Sequence, residues 1–176
     1  MVPAGGLSSV TGAVRAPQGG IALDLTRYLN RVIEINRVNK TVTVQAGMYG
    51  PALEAELNRQ GYSCGHFPQS FEYSTVGGWI SARGAGQAST GYGKIEDMVV
   101  ALKAVTPAGI IETREYPHCP GVDFQGFCRC GGNPRGDYRS NPAYFQLRSA
   151  EHCLGVIHIQ VVRGCSGNNA GGDHAG

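Results

Sequence analysis

Charge, long apolar runs and common nucleotide-binding fingerprints are scarce or missing in this 176-residue sequence. Charged residues make up 16% of the chain and the formal net charge is +2 with no basic run, so nucleic acid is not an expected partner. No apolar run approaches the ~18 residues of a membrane helix and no signal-peptide pattern opens the chain, so we expect a soluble, non-secreted protein with no transmembrane segment. Neither G-x-G-x-x-G between a strand and a helix nor G-x-x-x-x-G-K-[ST] is present, which disfavours a nicotinamide-binding Rossmann domain and a P-loop enzyme.

Glycine, in contrast, is abundant. The 27 glycines are about twice the usual ~7% share, and six of them fall in two runs, Pro3–Ser9 and Ser74–Gly86. Glycine lets backbone N–H groups approach a ligand closely, and consecutive N–H groups form concave anion sites suited to a pyrophosphate. Two such loops in one small chain indicate a ligand with two ends, such as a dinucleotide.

The pattern of apolar residues predicts an α+β domain. Period-two alternation and the intervening Asn39 predict a β-hairpin of Arg31–Asn36 and Thr41–Ala46. Helical spacing predicts an amphipathic helix over Tyr49–Gln60 that ends at Gly61, and a short helix over Val76–Arg83 begins at the Ser74-Thr75 cap. Further strands are predicted at Gly20–Leu25, Met98–Val105 and Ile110–Thr113.

The order of motifs resembles the FAD-binding (PCMH-type) domain of the vanillyl-alcohol oxidase superfamily, and within it the alkylglycerone-phosphate synthases. Pro3–Ser9 matches P-x-G-G-G-[TS]-S except that Leu7 replaces the third glycine. Residues Gly65–Thr75 (GHFPQSFEYST) resemble G-H-x-P-x-S-x-E-[FY]-S-T and continue into Val76–Arg83. The Tyr92–Asp97 segment and the turn at 105–109 also match, so the resemblance covers about residues 2–127.

The resemblance implies FAD as the cofactor and assigns residues to it. The first loop would wrap the pyrophosphate, and two later segments would line the flavin and its ribityl chain. The implied cofactor-binding residues are Pro3, Ala4, Gly5, Gly6, Leu7, Ser8, Ser9, Gln69, Ser70, Phe71, Glu72, Tyr73, Ser74, Thr75, Ala82, Arg83, Gly84 and Ala85. No metal ligand is implied, and no catalytic residue is assigned because the substrate domain of the family is absent.

Five nearby side chains receive separate predictions. Trp79 is expected to pack behind the cofactor, and His66 to form hydrogen bonds within its loop rather than act as a base. Arg83 either offsets flavin or phosphate charge or lies at the surface. Glu96 and Asp97 are expected to cap or pair structurally, since the sequence supplies no partner for acid–base work.

The match to the family stops after Phe127. The expected G-[SA]-E-G-T-L-G-V-I-T-E-A-T is replaced by a glycine-, cysteine- and arginine-rich stretch, yet one codon series permitted for residues 131–142, read one base later, encodes E-G-T-L-G-V-I-T-E-A-T. We therefore divide the chain into a partial FAD-binding domain, residues 1–127, and an out-of-frame tail, residues 128–176, without a domain of its own. The similarity of Glu151–Ile157 to the same motif is interpreted as coincidence.

Cysteine usage follows that division. Only Cys64 and Cys119 precede Phe127, which is consistent with a reducing compartment. A metal site built from Cys128, Cys130, His152 and Cys153 is disfavoured, because these residues lie in the tail. A cytoplasmic location is the default expectation, or a peroxisomal one if the source is eukaryotic.

The function implied by the resemblance is exchange of the acyl group of acyl-dihydroxyacetone phosphate for a fatty alcohol, the step that makes the ether bond of ether lipids. The alternative is an FAD-dependent oxidoreductase of a D-2-hydroxy acid such as D-lactate, because one fold serves both chemistries. A non-enzymatic module that binds a protein partner through its glycine loops is the third reading. A homodimer is left open.

Because the FAD-binding domain looks incomplete at both ends, we expect the chain as written to bind FAD poorly and to be inactive.

Overall fold

The computed structural model describes residues 1–12, 14–15, 17–106, 109–112 and 153–163. Within these ranges strands and helices are mixed, which confirms the α+β class. The strands are β1 Val2–Ala4, β2 Ala22–Asp24, β3 Val32–Asn36, β4 Thr41–Gln45, β5 Tyr62–Ser63, β6 Val99–Thr106, β7 Gly109–Glu112, β8 Cys153–Gln160 and β9 Val162–Arg163. The helices are α1 Gly50–Asn58, α2 Val76–Ser81, α3 Ser89–Tyr92 and α4 Ile95–Met98, with a 3₁₀ turn over Phe71–Tyr73.

Five of the described strands form an antiparallel sheet in the order β3-β4-β8-β6-β7. Val42 of β4 and Leu102 of β6 oppose Ile159 and Ile157 of β8, and all four side chains are buried. Leu53 and Leu57 of α1 belong to the same core. The sheet and α1 therefore share one apolar interior that supports the loops above it.

The predicted β3–β4 hairpin is confirmed, with a difference at its turn. Val42 and Val44 are buried while their neighbours are half-exposed, as the period-two pattern requires. The Asn36 side chain accepts hydrogen bonds from the N–H groups of Val38 and Asn39. Lys40, rather than Asn39, takes the positive φ of 54°. The Asn36 carboxamide supports the turn from its first position, which frees Asn39 from that role.

Strand β8 lies inside the segment predicted to be an out-of-frame tail. It occupies the middle of the large sheet, and the chain continues through buried Val161 into β9, which pairs with β5. A domain bounded at residue 127 therefore omits a central strand that the structure supplies from residues 153–160. The reading frame itself remains a prediction. Residues 128–152 and 164–176, and with them most of the disfavoured cysteine–histidine set, lie outside the described residues.

The remaining predicted elements appear close to their expected positions. Helix α1 is followed by Gly61 at a φ of 77°, as its predicted C-terminal glycine requires. Strand β1, which the sequence did not predict, pairs in parallel with β2 and leads directly into the first glycine loop. None of the helices in the described ranges is long and apolar enough to cross a membrane.

Candidate functional site

The two glycine-rich segments meet in the structure. A Cβ atom on Gly5 would overlap the hydroxyl oxygen of Thr75, and one on Gly6 would overlap the carbonyl oxygen of Tyr73. The first loop therefore approaches the second segment more closely than a side chain at position 5 or 6 would permit. This contact brings the Pro3–Ser9 loop together with the Gln69–Thr75 segment, as the predicted cofactor site requires.

Leu7 occupies the position where the family motif has its third glycine, and its backbone conformation explains that glycine. Its φ is 55°, in the left-handed region that glycine adopts without cost. The side chain is 63% exposed and contributes little burial. The chain thus keeps the glycine conformation with a leucine in place, so Leu7 stores backbone strain inside the loop.

The first loop also has free hydrogen-bond donors. Among the described residues, no backbone N–H group from Gly5 to Ser9 donates to another residue. Ser8 and Ser9 are exposed. A run of unpaired N–H groups around a left-handed residue forms a concave anion site. The loop therefore fits a phosphate or pyrophosphate group chemically, although it carries no positive side chain.

The second segment is rigid where it contacts the first. The N–H groups of Phe71 and Tyr73 donate to the carbonyl oxygens of Pro68 and Ser70, closing the 3₁₀ turn. Thr75, which is buried, caps α2 by accepting a hydrogen bond from the Gly78 N–H at 3.4 Å. Gln69, Glu72 and Tyr73 are exposed. The segment thus presents polar side chains on a fixed backbone.

An aromatic cluster packs behind this segment. The Trp79 indole N–H donates to Ser74 Oγ at 2.6 Å, and both residues are buried. The Phe71 ring stacks on Trp79 with 6.1 Å between centroids, and the His66 ring lies 5.0 Å from Trp79. Trp79 is thus a packing residue, as predicted, and it also holds Ser74 in place.

His66 differs from its prediction. Its side chain is only 1% exposed, and neither ring nitrogen has a hydrogen-bond partner within the described part of the chain. The prediction that the His66 side chain forms hydrogen bonds within its loop is therefore wrong within the described part of the chain. Burial lowers the pKa of the imidazole to about 4, because the charged form would lose its hydration. His66 is accordingly neutral at physiological pH.

The Ala82–Ala85 segment joins the same region through Trp79. The Gly84 N–H donates to the Trp79 carbonyl oxygen. Arg83 has a φ of 52° and forms a two-point ion pair with Glu96, whose Oε1 lies 2.8 Å from Arg83 Nη2. The guanidinium charge is thus shared with a carboxylate, which weakens the prediction that it offsets charge on the cofactor.

Two acidic residues have the structural roles predicted for them. Glu96 pairs with Arg83, and Asp97 accepts a hydrogen bond from the Lys94 N–H at 2.8 Å. The sequence did not identify Arg83 as the partner of Glu96. The signal that could have found it is the charge complementarity of two residues flanking one glycine-rich loop.

The family comparison agrees with this geometry. A family model described as an FAD binding domain matches residues 1–114. The chain therefore belongs to the FAD-binding domain family, and FAD is its cofactor. The mixed α+β architecture is that of the PCMH-type domain, of which the chain contains a part.

Three individual comparisons locate the chain within that family. It is 44% identical over 116 residues to the alkyldihydroxyacetonephosphate synthase of Caenorhabditis elegans, covering 64% of this chain and 19% of the relative. It is 35% identical over 116 residues to the D-2-hydroxyglutarate dehydrogenase of Pantoea ananatis, covering 65% and 11%. A solved alkyldihydroxyacetonephosphate synthase structure in P212121 superposes with a TM-score of 0.70 at 32% identity, covering 92% of this chain and 27% of that one.

The lengths matched have two consequences. The chain spans about a fifth of the length of the synthase relative, so the match concerns only that part of the relative. The structural match covers 92% of the chain, which is more than residues 1–127 alone supply. The likeness to the synthase structure therefore extends into the segment that contains β8.

Proposed function

We propose that this chain is the FAD-binding part of an enzyme that exchanges the acyl group of acyl-dihydroxyacetone phosphate for a fatty alcohol. The observation that carries the proposal is the close approach of Gly5 to the Thr75 hydroxyl and of Gly6 to the Tyr73 carbonyl. It joins the first glycine loop to the GHFPQSFEYSTVGGWIS block, which is the most specific resemblance to the synthases. The 44% identity to the Caenorhabditis elegans synthase supports the same choice.

Different segments of the described chain would contact different parts of FAD. The free N–H groups of Gly5–Ser9 would bind the pyrophosphate, while Gln69–Thr75 and Ala82–Ala85 would lie along the ribityl chain and flavin. The stacked rings of partly buried Phe71 and buried Trp79 would exclude water behind that face. FAD, when bound, supplies an electron-accepting ring system, and the protein supplies binding and orientation.

Binding of FAD is the first test. The purified chain is titrated with FAD while flavin fluorescence and the visible absorption band are followed, with Gly6→Ala as the disrupted variant and Gly91→Ala as its control. Saturable binding that Gly6→Ala weakens further supports the site, even if the unaltered chain binds with the low affinity expected from its sequence. Equal binding by Gly6→Ala and the unaltered chain would remove the loop contact from the cofactor site.

The transferase assay then tests the reaction with the complete gene product. Acyl-dihydroxyacetone phosphate labelled in its acyl chain is incubated with a fatty alcohol, and release of labelled fatty acid is measured together with formation of the ether product. The exchange has no net redox change, so we expect turnover without an electron acceptor. No product under these conditions contradicts the transferase proposal.

Oxidation of a D-2-hydroxy acid is the second candidate. It is favoured by the 35% identity to a D-2-hydroxyglutarate dehydrogenase across the same part of the chain. Reduction of an artificial electron acceptor by D-lactate or D-2-hydroxyglutarate, with no ether product, would select this function. Because the FAD-binding fold serves both, substrate dependence decides between them.

A further inference from the structure

We propose that Glu96 is a positioning residue for the cofactor site, acting through Arg83 on the Ala82–Ala85 segment. The inference rests on the proposed function, in which this segment lines FAD. Glu96 lies on α4 and Arg83 on the loop that follows α2, so their ion pair links two elements separated in sequence. Glu96 would therefore influence the cofactor without contacting it.

The backbone of Arg83 shows why the loop needs such a link. A non-glycine residue at a φ of 52° is in the left-handed region, which is disfavoured by contact of its Cβ with the following carbonyl oxygen. Neighbouring Gly84 lies between the Trp79 carbonyl and the His66 ring. Glycine at position 83 would remove the strain, yet the chain has an arginine there. The ion pair offsets the cost of this conformation.

The geometry of the pair suits a clamp. Arg83 uses Nε and Nη2 on the two oxygens of one carboxylate, which fixes the orientation of the side chain as well as its distance. The Glu96 side chain is 11% exposed and that of Arg83 is 41% exposed. The carboxylate is therefore held by its surroundings while the arginine lies at the surface. Glu96 is the fixed partner, and Arg83 is the partner that it orders.

A second contact couples the two elements at the backbone. The Ile95 N–H, at the start of α4, donates to the Gly84 carbonyl oxygen at 3.2 Å. Ile95 is fully buried, so α4 is anchored in the core independently of the ion pair. Removal of the Glu96 charge is thus expected to loosen residues 82–85 while α4 stays in place.

Amide hydrogen exchange tests the clamp without cofactor. In Glu96→Gln we expect the Arg83 and Gly84 amides, which donate to Ile80 and Trp79, to exchange at least ten-fold faster. The Gly77 amide, which donates to Ala46 in the core, serves as the internal reference. Glu56→Gln, which removes an exposed ion pair with Arg59, is the matched control. Unchanged exchange at Arg83 and Gly84 in Glu96→Gln would overturn the proposal.

FAD titration separates a clamp from direct contact with the cofactor. We expect about ten-fold weaker binding in Glu96→Gln and in Arg83→Ala, with a shifted flavin absorption band. Arg83→Gly, which adopts the left-handed conformation without strain, should recover at least three-fold of the affinity lost in Arg83→Ala. If Arg83→Gly binds as weakly as Arg83→Ala while Glu96→Gln binds normally, Arg83 itself contacts FAD and the clamp is wrong. If the unaltered chain binds no FAD, the proposed function fails for this chain, while the exchange experiment still decides the role of Glu96.

Discussion

Gly6 lies so close to the Tyr73 carbonyl oxygen that the backbone leaves no room for a side chain. The contact joins two segments that are far apart in sequence, and each carries residues assigned to the cofactor. The shape of the candidate site therefore depends on the absence of a single Cβ atom.

Substitution Gly6→Ala tests this dependence. The added methyl group must displace either the first loop or the Phe71–Tyr73 turn, so FAD affinity should fall at least ten-fold. Gly91→Ala is the control, because a Cβ atom at Gly91 meets nothing within 4 Å and the residue has no positive φ. Affinity is measured by quenching of flavin fluorescence. Equal losses in the two variants would contradict the role of the contact.

Leu7→Gly should stabilise the first loop. Relief of a left-handed non-glycine residue is worth roughly 1–2 kcal/mol, and the added freedom of the unfolded chain takes back about 0.5–1 kcal/mol. We expect a net gain in the free energy of unfolding of about 0.5–1 kcal/mol and tighter FAD binding. Leu7→Val should do the opposite, because a β-branched residue is disfavoured at positive φ. Urea denaturation of both variants makes the comparison, and a less stable Leu7→Gly would refute it.

Thr75 has a separable role in capping α2. Thr75→Val keeps the volume but removes the oxygen that accepts from the Gly78 N–H, so it should lower the free energy of unfolding by about 1 kcal/mol. Thr75→Ser retains that oxygen and should lie close to the unaltered chain in thermal denaturation. A stable valine variant beside a destabilised serine variant would show that the methyl group, and not the hydroxyl, is what matters.

Strand β8 should be essential to the fold. Ile159 is fully buried between β4 and β6, so Ile159→Ala should cost about 2–5 kcal/mol of unfolding free energy. Ile110→Ala, at a side chain that is 65% exposed, should cost well under 1 kcal/mol. A chain ending at residue 127 should lack cooperative unfolding. Unchanged stability in Ile159→Ala and in the shortened chain would show that residues 128–176 are dispensable.

Acid should destabilise the protein through His66. The folded-state pKa is lowered to about 4 from 6.5, so between these values the unfolded chain binds a proton at His66 that the folded chain does not. The free energy of unfolding should therefore fall as the pH drops from about 6.5 to about 4, by at most about 1.4 kcal/mol per pH unit. His66→Gln should lose this part of the dependence. An identical pH profile in that variant would assign the effect to other groups.

Short-range sequence patterns predicted the strands and helices whose burial follows the period of the backbone. The alternation in Thr41–Gln45 and the helical spacing of Leu53 and Leu57 give β4 and α1 within a few residues, because burial follows the period of the backbone. Strand β8 was not predicted, because residues 128–176 were interpreted as an out-of-frame tail. Its place in the sheet depends on pairing with β4 and β6, which both lie more than forty residues away along the chain, and no short-range pattern encodes that pairing.

The sequence predicted which segments and which cofactor belong to the candidate site, but it did not predict the backbone conformations and packing within that site. The glycine loops and the FAD cofactor followed from the motifs, and Leu7 was noticed only as a departure from them. The left-handed backbone at Leu7 and Arg83 depends on three-dimensional packing, and so does the lack of a hydrogen-bond partner for the His66 ring within the described residues. Which described residues touch FAD stays a prediction.

The central place of β8 also determines the order in which the sheet can form. Gln45 of β4 pairs with Val156, and Lys103 of β6 pairs with that same residue. During synthesis both strands leave the ribosome well before their shared partner does, and each then exposes an open hydrogen-bonding edge. Closure of such long-range pairs is slow, and the waiting intermediate is prone to aggregation. We therefore expect the yield of soluble protein in cells to depend on how quickly the late segment β8 reaches the gap between β4 and β6.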